Sequence, residues 1–231
     1  MNDLKANLNN VRSRVESACK MAGRDPSKIT VLAVSKRHSA ARIRALHELG
    51  QRAFGENYLQ EAVAKQTLLA GLALEWHFIG PLQSNKTKEI ARNFDWVQSA
   101  DREKVLRRLS EQRPENLPAL NICLQVNIDY EAQKAGVMPE DLEQLARFVM
   151  DLKNLHLRGL MAIPRQASAD HDPSDSYRRV HELFMALNES GIPMDTLSMG
   201  MSADLESAIM QGSTMIRIGT DLLGARNETN G

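Results

Sequence analysis

A lysine at the end of an apolar run is the first residue in this sequence whose position suggests chemistry. Residues 29–36 read Ile-Thr-Val-Leu-Ala-Val-Ser-Lys, a run rich in β-branched side chains that predicts a buried strand ending at Lys36. Burial disfavours the ammonium form, which lowers the pKa of a lysine and makes its amine a nucleophile for Schiff-base chemistry. On these eight residues alone, a side chain that simply reaches into solvent is the favoured interpretation.

An arginine near the end of the sequence lies on the inward side of a predicted strand. In residues 215–219 the two isoleucines share one face, while Arg217 lies on the other. If the isoleucines meet helices, Arg217 points into the interior, where a charged guanidinium needs a partner. Two alternatives stay open: an ion pair with Glu75 or Glu56, or a bound ligand.

Two glycine-containing turns have the composition of a phosphate site. They are Gly200-Met201-Ser202 and Gly219-Thr220, and each precedes a predicted helix. Glycine lets the backbone approach an anion, and helix N-termini present free N–H groups and positive dipole ends. The alternative is that the two hydroxyl residues are only N-caps, with Asp204 and Asp221 complementing the dipoles.

The elements that must position these residues alternate along the whole sequence. The predicted strands are 29–36, 53–55, 74–80, 96–99, 120–127, 157–163, 196–199 and 215–219. The predicted helices are 3–22, 40–49, 58–70, 86–93, 102–112, 139–152, 174–190 and 203–211, followed by a short helical turn near Leu222. Polar loops are predicted at 128–138 and 164–173. Strict alternation indicates a parallel sheet, either open and doubly wound or closed. About eight such units in 231 residues fit the closed barrel, and no Gly-x-Gly-x-x-Gly follows the first strand to support an open dinucleotide-binding sheet. No linker divides the chain, so we expect one domain over residues 1–231, an α/β (β/α)8 TIM-type barrel with an extra N-terminal helix.

Such a barrel would bring the candidate residues together, because its sites lie at the C-terminal ends of the strands. Asn57 follows the second strand and His77 lies on the third. His77 is either a satisfied core histidine or a ring packed against a ligand. Many barrels bind phosphate on the loops after strands seven and eight, where the two turns fall. A strand-end lysine, an inward arginine and this pair of turns together describe a site for pyridoxal 5′-phosphate (PLP).

Composition excludes several other classes of protein. The 231 residues carry 29 Lys plus Arg against 29 Asp plus Glu, which removes the charge expected of a nucleic-acid or anionic-membrane binder. Neither the two cysteines, Cys19 and Cys123, nor any histidine motif has the spacing of a metal site. Two cysteines also do not predict a disulfide-stabilised fold. No signal peptide is visible and the longest apolar run, 68–74, is too short to span a bilayer. We therefore expect a cytoplasmic protein.

Several sequence blocks also resemble those of a known family. They are Ala33-Val34-Ser35-Lys36, Phe54-Gly55-Glu56-Asn57-Tyr58, the run from Trp76 to Lys86, Gly159-Leu160-Met161, Ser198-Met199-Gly200-Met201-Ser202 and Arg217-Ile218-Gly219-Thr220. In this order they are similar to the blocks of the pyridoxal-phosphate homeostasis (YggS/PROSC) family, and the resemblance covers nearly the whole chain.

This resemblance implies a barrel like the N-terminal domain of alanine racemase, with PLP bound to Lys36 as a Schiff base. It also implies that Arg217 faces the pyridine nitrogen and that Asn57 and His77 lie near the ring. Three residues are expected on the phosphate, namely Ser202, Gly219 and Thr220.

The resemblance further implies a vitamin B6 homeostasis protein, with no catalytic residue and no metal. The alternatives are an amino-acid racemase-like PLP enzyme, and a barrel enzyme that acts on a sugar phosphate through the Lys36 amine. Alanine racemases take a second base, a tyrosine, from a C-terminal β-domain, and the sequence ends at Gly231 directly after the barrel, so we expect that domain to be absent. The expected partners are PLP, amino acids as external aldimines and, transiently, PLP-dependent apo-enzymes, with the chain a monomer.

Overall fold

Eight parallel strands close into a barrel in the computed structural model, which describes residues 2–165 and 172–224. Each strand pairs with the next in chain order, and β8 pairs back with β1. The strands are β1 (Thr30–Val34), β2 (Ala53–Glu56), β3 (Glu75–Phe78), β4 (Trp96–Ala100), β5 (Leu120–Val126), β6 (Leu155–Ala162), β7 (Thr196–Ser198) and β8 (Met215–Ile218). The predicted (β/α)8 barrel is confirmed. That all 231 residues form one domain stays a prediction.

Helices cover the outside of the barrel, as parallel pairing requires. They are α1 (Asn2–Ala22), α2 (Ala40–Glu48), α3 (Leu59–Leu68), α4 (Thr87–Asn93), α5 (Glu103–Gln112), α6 (Leu142–Met150), α7 (Pro173–Glu189), α8 (Leu205–Met210) and α9 (Thr220–Leu223). Short 3-10 turns at Pro26–Lys28 and Pro139–Asp141 precede β1 and α6. The extra N-terminal helix is present as α1, which packs against α8 and α9 through a buried stripe that includes Leu4, Leu8, Val11 and Val15.

The apolar core has two layers, because successive residues of a strand face opposite sides. Most buried residues lie between the sheet and the helices. Inside the barrel, Leu32, Ala53 and Met215 form one cluster, and a second contains Trp96 with Cys123. Met215 and Arg217 share a face, so the inward direction predicted for Arg217 agrees with the packing.

The end of β1 differs from the prediction. The strand stops at Val34, so Lys36 lies in the following turn and not on the strand. One more ladder bond runs from Ser35 N–H to the Gly55 carbonyl (2.9 Å), and Arg37 then turns the chain with a φ of 62°. The last residue of β1 that pairs with β2 is Val34, opposite Gly55, and the positive φ of Arg37 stops the extended backbone from continuing beyond Lys36.

Part of the predicted loop 164–173, residues 166–171, lies outside the described residues. Among the residues that are described, no helix is long and apolar enough to cross a membrane. No group of three or more metal-ligating side chains is found in the same part of the chain.

Candidate functional site

A cavity of about 320 Å³ opens at the carboxyl ends of the strands, and we call it the mouth cavity. Its lining comprises Val34, Lys36, Asn57, Ile79, Met161, Ile163, Met201, Ser202, Ala203, Arg217, Gly219 and Thr220. Six of the seven residues predicted to bind a cofactor are therefore brought together. The seventh, His77, does not line it.

A buried polar cluster lies behind Lys36. The Ser35 hydroxyl donates to the carboxylate of Glu56 (2.6 Å), whose side chain is fully buried. The ammonium group of Lys65 donates to the same carboxylate (2.6 Å) and to the Ser35 carbonyl (2.7 Å). Burial raises the pKa of Glu56, while Lys65 opposes that shift. The cluster fixes the backbone immediately before Lys36, and so the point from which its side chain enters the cavity.

Asn57 is held at the mouth by a close approach of the segments that follow β2 and β3. A Cβ at Gly80 would collide with the Asn57 carbonyl, so only glycine permits this contact. The side-chain Oδ1 of Asn57 is buried and has no hydrogen-bond partner among the described residues. A buried polar atom of this kind favours a ligand that can satisfy it.

The guanidinium of Arg217 is buried at the base of the mouth cavity, with the residue 5% exposed. It donates to the Ser198 carbonyl (2.8 Å), to the Ser198 hydroxyl (2.8 Å) and to the Ala162 carbonyl (2.8 Å). Within the described residues it forms no ion pair with Glu75 or Glu56, so that alternative from the sequence is wrong. Burial lowers the pKa of Arg217, yet an arginine remains charged.

The carboxylate of Glu75 is instead connected to Arg217 through what we call the axial chain, a series of hydrogen bonds along the barrel interior. The Ser198 hydroxyl donates to Gln98 Oε1 (2.7 Å), and Gln98 Nε2 pairs with His77 Nδ1 (2.8 Å). His77 Nε2 in turn contacts the Glu75 carboxylate (2.8 Å). Since Gln98 Nε2 can only donate, His77 carries its proton on Nε2. The axial chain therefore runs in one donor direction from Arg217 to Gln98 and ends on a carboxylate.

His77 is a core histidine in this structure. It is fully buried and stacks on Trp96, with ring centroids 5.1 Å apart. Both ring nitrogens are used by the axial chain, so none is left to face the mouth cavity. Of the two interpretations open at the start, the geometry supports the satisfied core residue.

The protonation of His77 should make stability fall in acid. Burial lowers the pKa of His77, and the hydrogen bond to Glu75 offsets only part of that shift. As the pH falls, His77 is protonated in the unfolded chain before it is protonated in the folded chain. The neutral His77 therefore contributes fully to the free energy of unfolding above about pH 6.5, and this contribution is lost as the pH falls below that value.

We expect His77→Gln, which does not titrate, to be less stable at pH 7.5 but to show a shallower pH dependence. Between pH 7.5 and 5.5 the native protein should lose about 1 kcal/mol more than the variant, as measured by urea unfolding. The other histidines are the same in both proteins, so their contributions to the pH dependence cancel in the comparison. Parallel profiles would contradict a neutral His77.

The loops after β7 and β8 bring Ser202 and Thr220 to one side of the mouth cavity. The N-caps of α8 and α9 are Asp204 and Gly219, and neither forms a side-chain capping bond. The two hydroxyl residues are therefore not N-caps, which was the alternative from the sequence. Gly200 is required in the first loop, because its φ is +93° and a Cβ there would lie 2.5 Å from that of Ala208.

Sequence reasoning missed several residues that shape this site. Gln98 and Ser198 are polar residues at inward positions of apolar strands, a signal that strand alternation contains. The sequence suggests Glu56 only as an alternative partner of Arg217, and no local pattern joins it to Lys65 on the next element. Met161 and Ile163 have no chemical signal, and only their position at the end of the sixth strand points to the mouth.

The chain matches a family described as the alanine racemase N-terminal domain over residues 3–227. A pyridoxal phosphate homeostasis protein from Pseudomonas aeruginosa is 54% identical over 227 residues, which span 98% of this chain and 97% of that protein. The protein of the same name from Escherichia coli K12 is 46% identical over 230 residues, which span 98% of both.

Solved structures show the same similarity. PipY from Synechococcus elongatus, in a structure with PLP bound, has a TM-score of 0.83 at 34% identity, and the match covers 96% of this chain and 100% of that chain. An alanine racemase from Clostridium difficile has a TM-score of 0.76 at 15% identity, covering 99% of this chain but 58% of the racemase. At this identity the likeness to the racemase shows the fold alone.

Proposed function

The chain belongs to the pyridoxal phosphate homeostasis protein family, and on that premise we propose that it binds PLP in the mouth cavity and holds it for vitamin B6 homeostasis without turning over a substrate. PLP is a small anion with a reactive aldehyde, so its site needs a primary amine, hydrogen-bond donors for a phosphate and few negative charges.

The observation that carries this proposal is the charge of the cavity lining. Lys36 and Arg217 are cationic, and within the described residues no carboxylate lines the cavity. A volume of about 320 Å³ suits a small molecule. The unpartnered Oδ1 of Asn57 adds a position for a ligand donor. The residues present therefore fit a phosphorylated aldehyde.

We assign the aldehyde of this ligand to Lys36 and its pyridine nitrogen to Arg217. When bound, PLP supplies an aldehyde carbon that forms a C=N bond with a primary amine. Lys36 Nζ is the amine of the lining. We place the guanidinium of Arg217 at the pyridine nitrogen, where the oxygens of Ser198 and Ala162 hold it in one orientation.

The other contacts follow from position in the cavity. We assign the phosphate to the hydroxyls of Ser202 and Thr220 and to the backbone of Gly219, and we place Asn57 beside the ring. His77 is left out of this set, because both of its nitrogens are used by the axial chain.

Two features support a binding protein over the racemase-like alternative. A guanidinium has donors only, so Arg217 cannot take a proton from the pyridine nitrogen and leaves the ring a weak electron sink. Racemisation also needs a second base opposite the lysine. Among the described lining residues, Lys36 is joined by no histidine, tyrosine, cysteine or carboxylate that could act as this base.

The partners that we propose are molecules with primary amines. Amino acids compete with Lys36 for the aldehyde, and PLP-dependent apo-enzymes receive the cofactor in transient contact with a monomer of this chain in the cytoplasm. The rim residues Ile163 and Met201 are 40% and 37% exposed, so the cavity is reachable from solvent.

The phosphate assignment predicts that Ser202→Ala and Thr220→Val weaken PLP about ten- to hundredfold. Each variant removes a charge-assisted hydrogen bond worth about 1.5–3 kcal/mol. Unphosphorylated pyridoxal should bind each variant as it binds the native protein. Absorbance titration of the cofactor-free proteins with both compounds measures the two affinities.

A matched control is Ser207→Ala on α8, since Ser207 does not line the mouth cavity. Equal losses for PLP and pyridoxal would show that the hydroxyls of Ser202 and Thr220 serve the loops and not the phosphate. A native protein that binds the two compounds equally would contradict the proposed function itself.

A further inference from the structure

The N-terminal helix contributes one side chain to the region beneath the phosphate loops. Arg14 of α1 reaches across to α8 and α9, and its four hydrogen bonds span about 190 to 210 positions in the sequence. Helix α1 is the element that the eight-unit barrel does not need. Its buried stripe explains why it packs there, but a stripe of apolar residues does not require an arginine.

The contacts of Arg14 join the two loops that bear Ser202 and Thr220. One terminal nitrogen donates to the Ser202 carbonyl (2.8 Å), and the other donates to the carboxylate of Asp221 (2.8 Å), the residue after Thr220. Arg14 therefore fixes the distance between the backbone at Ser202 and the first turn of α9. The Ser202 carbonyl belongs to one of the two hydroxyl residues of the lining, and Asp221 directly follows the other, Thr220.

Arg14 also neutralises the negative charge beside these loops. Its Nε and a terminal nitrogen make a two-bond pair with Glu206 (2.6 and 2.8 Å), and Asp221 is its second ion pair. This fork geometry is available to arginine but not to lysine. Without Arg14, two carboxylates would lie unpaired close to the place that we assign to a dianionic phosphate.

We propose that Arg14 is a positioning residue for phosphate binding, which ties the loops after β7 and β8 together and cancels the charges of Glu206 and Asp221. This inference rests on the proposed function, since the ligand is the phosphate of PLP. Arg14 itself is outside the cavity lining and acts through Ser202 and through its two carboxylate partners.

The test compares PLP with pyridoxal in the cofactor-free proteins. For Arg14→Met we expect PLP affinity to fall about tenfold while pyridoxal affinity stays within about twofold, because only the phosphate senses the loops and the two carboxylates. For Arg14→Lys, which keeps the charge but not the fork, we expect an intermediate loss of about threefold. If Arg14→Met does not fold, Arg14→Lys still tests whether Arg14 affects phosphate binding.

The matched control is Arg147→Met. Arg147 on α6 also pairs with a glutamate, Glu143, and donates to one backbone carbonyl, but it does not line the mouth cavity. We expect it to leave both affinities unchanged.

Equal losses of PLP and pyridoxal, or no loss of either, would overturn the role of Arg14 in phosphate binding. A salt titration adds a readout that a purely structural role would not move: the PLP deficit of Arg14→Met should shrink at high ionic strength. If the native protein prefers PLP and Arg14→Met keeps that preference, only this inference fails. If the native protein has no preference for PLP, the proposed function fails first.

Discussion

Replacing Lys36 with alanine is expected to abolish the visible absorbance band of the PLP-loaded protein. Lys36 is the primary amine among the described residues of the mouth cavity, so its loss leaves none of them able to form the C=N bond with the aldehyde. The side chain lies in a turn after β1 and is only partly buried, so the free energy of unfolding should change by less than about 1 kcal/mol. Absorbance after PLP addition and gel filtration, with urea unfolding alongside, measures both effects.

Lys88→Ala is the control for this experiment, because Lys88 is an exposed lysine on α4. It should keep the full band. A Lys36→Ala protein that is folded and still retains the band would show that the cofactor is attached elsewhere.

Replacing Arg217 with glutamate is expected to raise the rate at which the PLP-loaded protein exchanges the α-hydrogen of an amino acid with solvent. An acid opposite the pyridine nitrogen favours the protonated ring and strengthens it as an electron sink. We expect Arg217→Glu to exchange the α-hydrogen of L-alanine with deuterated solvent at least about tenfold faster than the native protein, as followed by proton NMR.

The surroundings of Arg217 determine how this result is controlled. The oxygens of Ser198 and Ala162 that now accept from the guanidinium would face a carboxylate, so retained PLP absorbance is a condition of the comparison. Arg217→Gln is the matched variant, since it keeps an N–H donor for these oxygens and supplies no acid. Rapid exchange or racemisation by the native protein would contradict a non-catalytic role, and equal exchange by all three proteins would place Arg217 away from the nitrogen.

Much of the barrel could be predicted from the sequence because its rules are local. Strand alternation placed Arg217 on the inward face, and the helix pattern located α1 to within a residue at its start. The glycine turns at 200–202 and 219–220 fell on the two strand ends where a barrel gathers its phosphate donors. These features depend on neighbours in the sequence or on the fold as a whole.

The remaining features depend on contacts between distant parts of the chain. β1 ends at Val34 and leaves Lys36 in a turn with Arg37, whose φ is 62°, and no residue type in that stretch demands a turn there. The placement of His77 depends on Gln98 and Glu75, whose side chains meet only after the barrel closes. For the same reason, a periodic pattern in α1 predicts a buried face but cannot show that Arg14 reaches Asp221.

The attachment of PLP to Lys36 is tested most directly by reducing the native PLP-loaded protein with borohydride and mapping the modified peptide. Reduction converts the C=N bond into a stable amine that survives proteolysis and mass spectrometry. We expect one modified lysine, Lys36, with about one cofactor per chain and no label when PLP is omitted. Modification of another lysine, such as the buried Lys65 or the loop residue Lys134, would contradict the assignment of the mouth cavity, and so would a protein that takes no label at all.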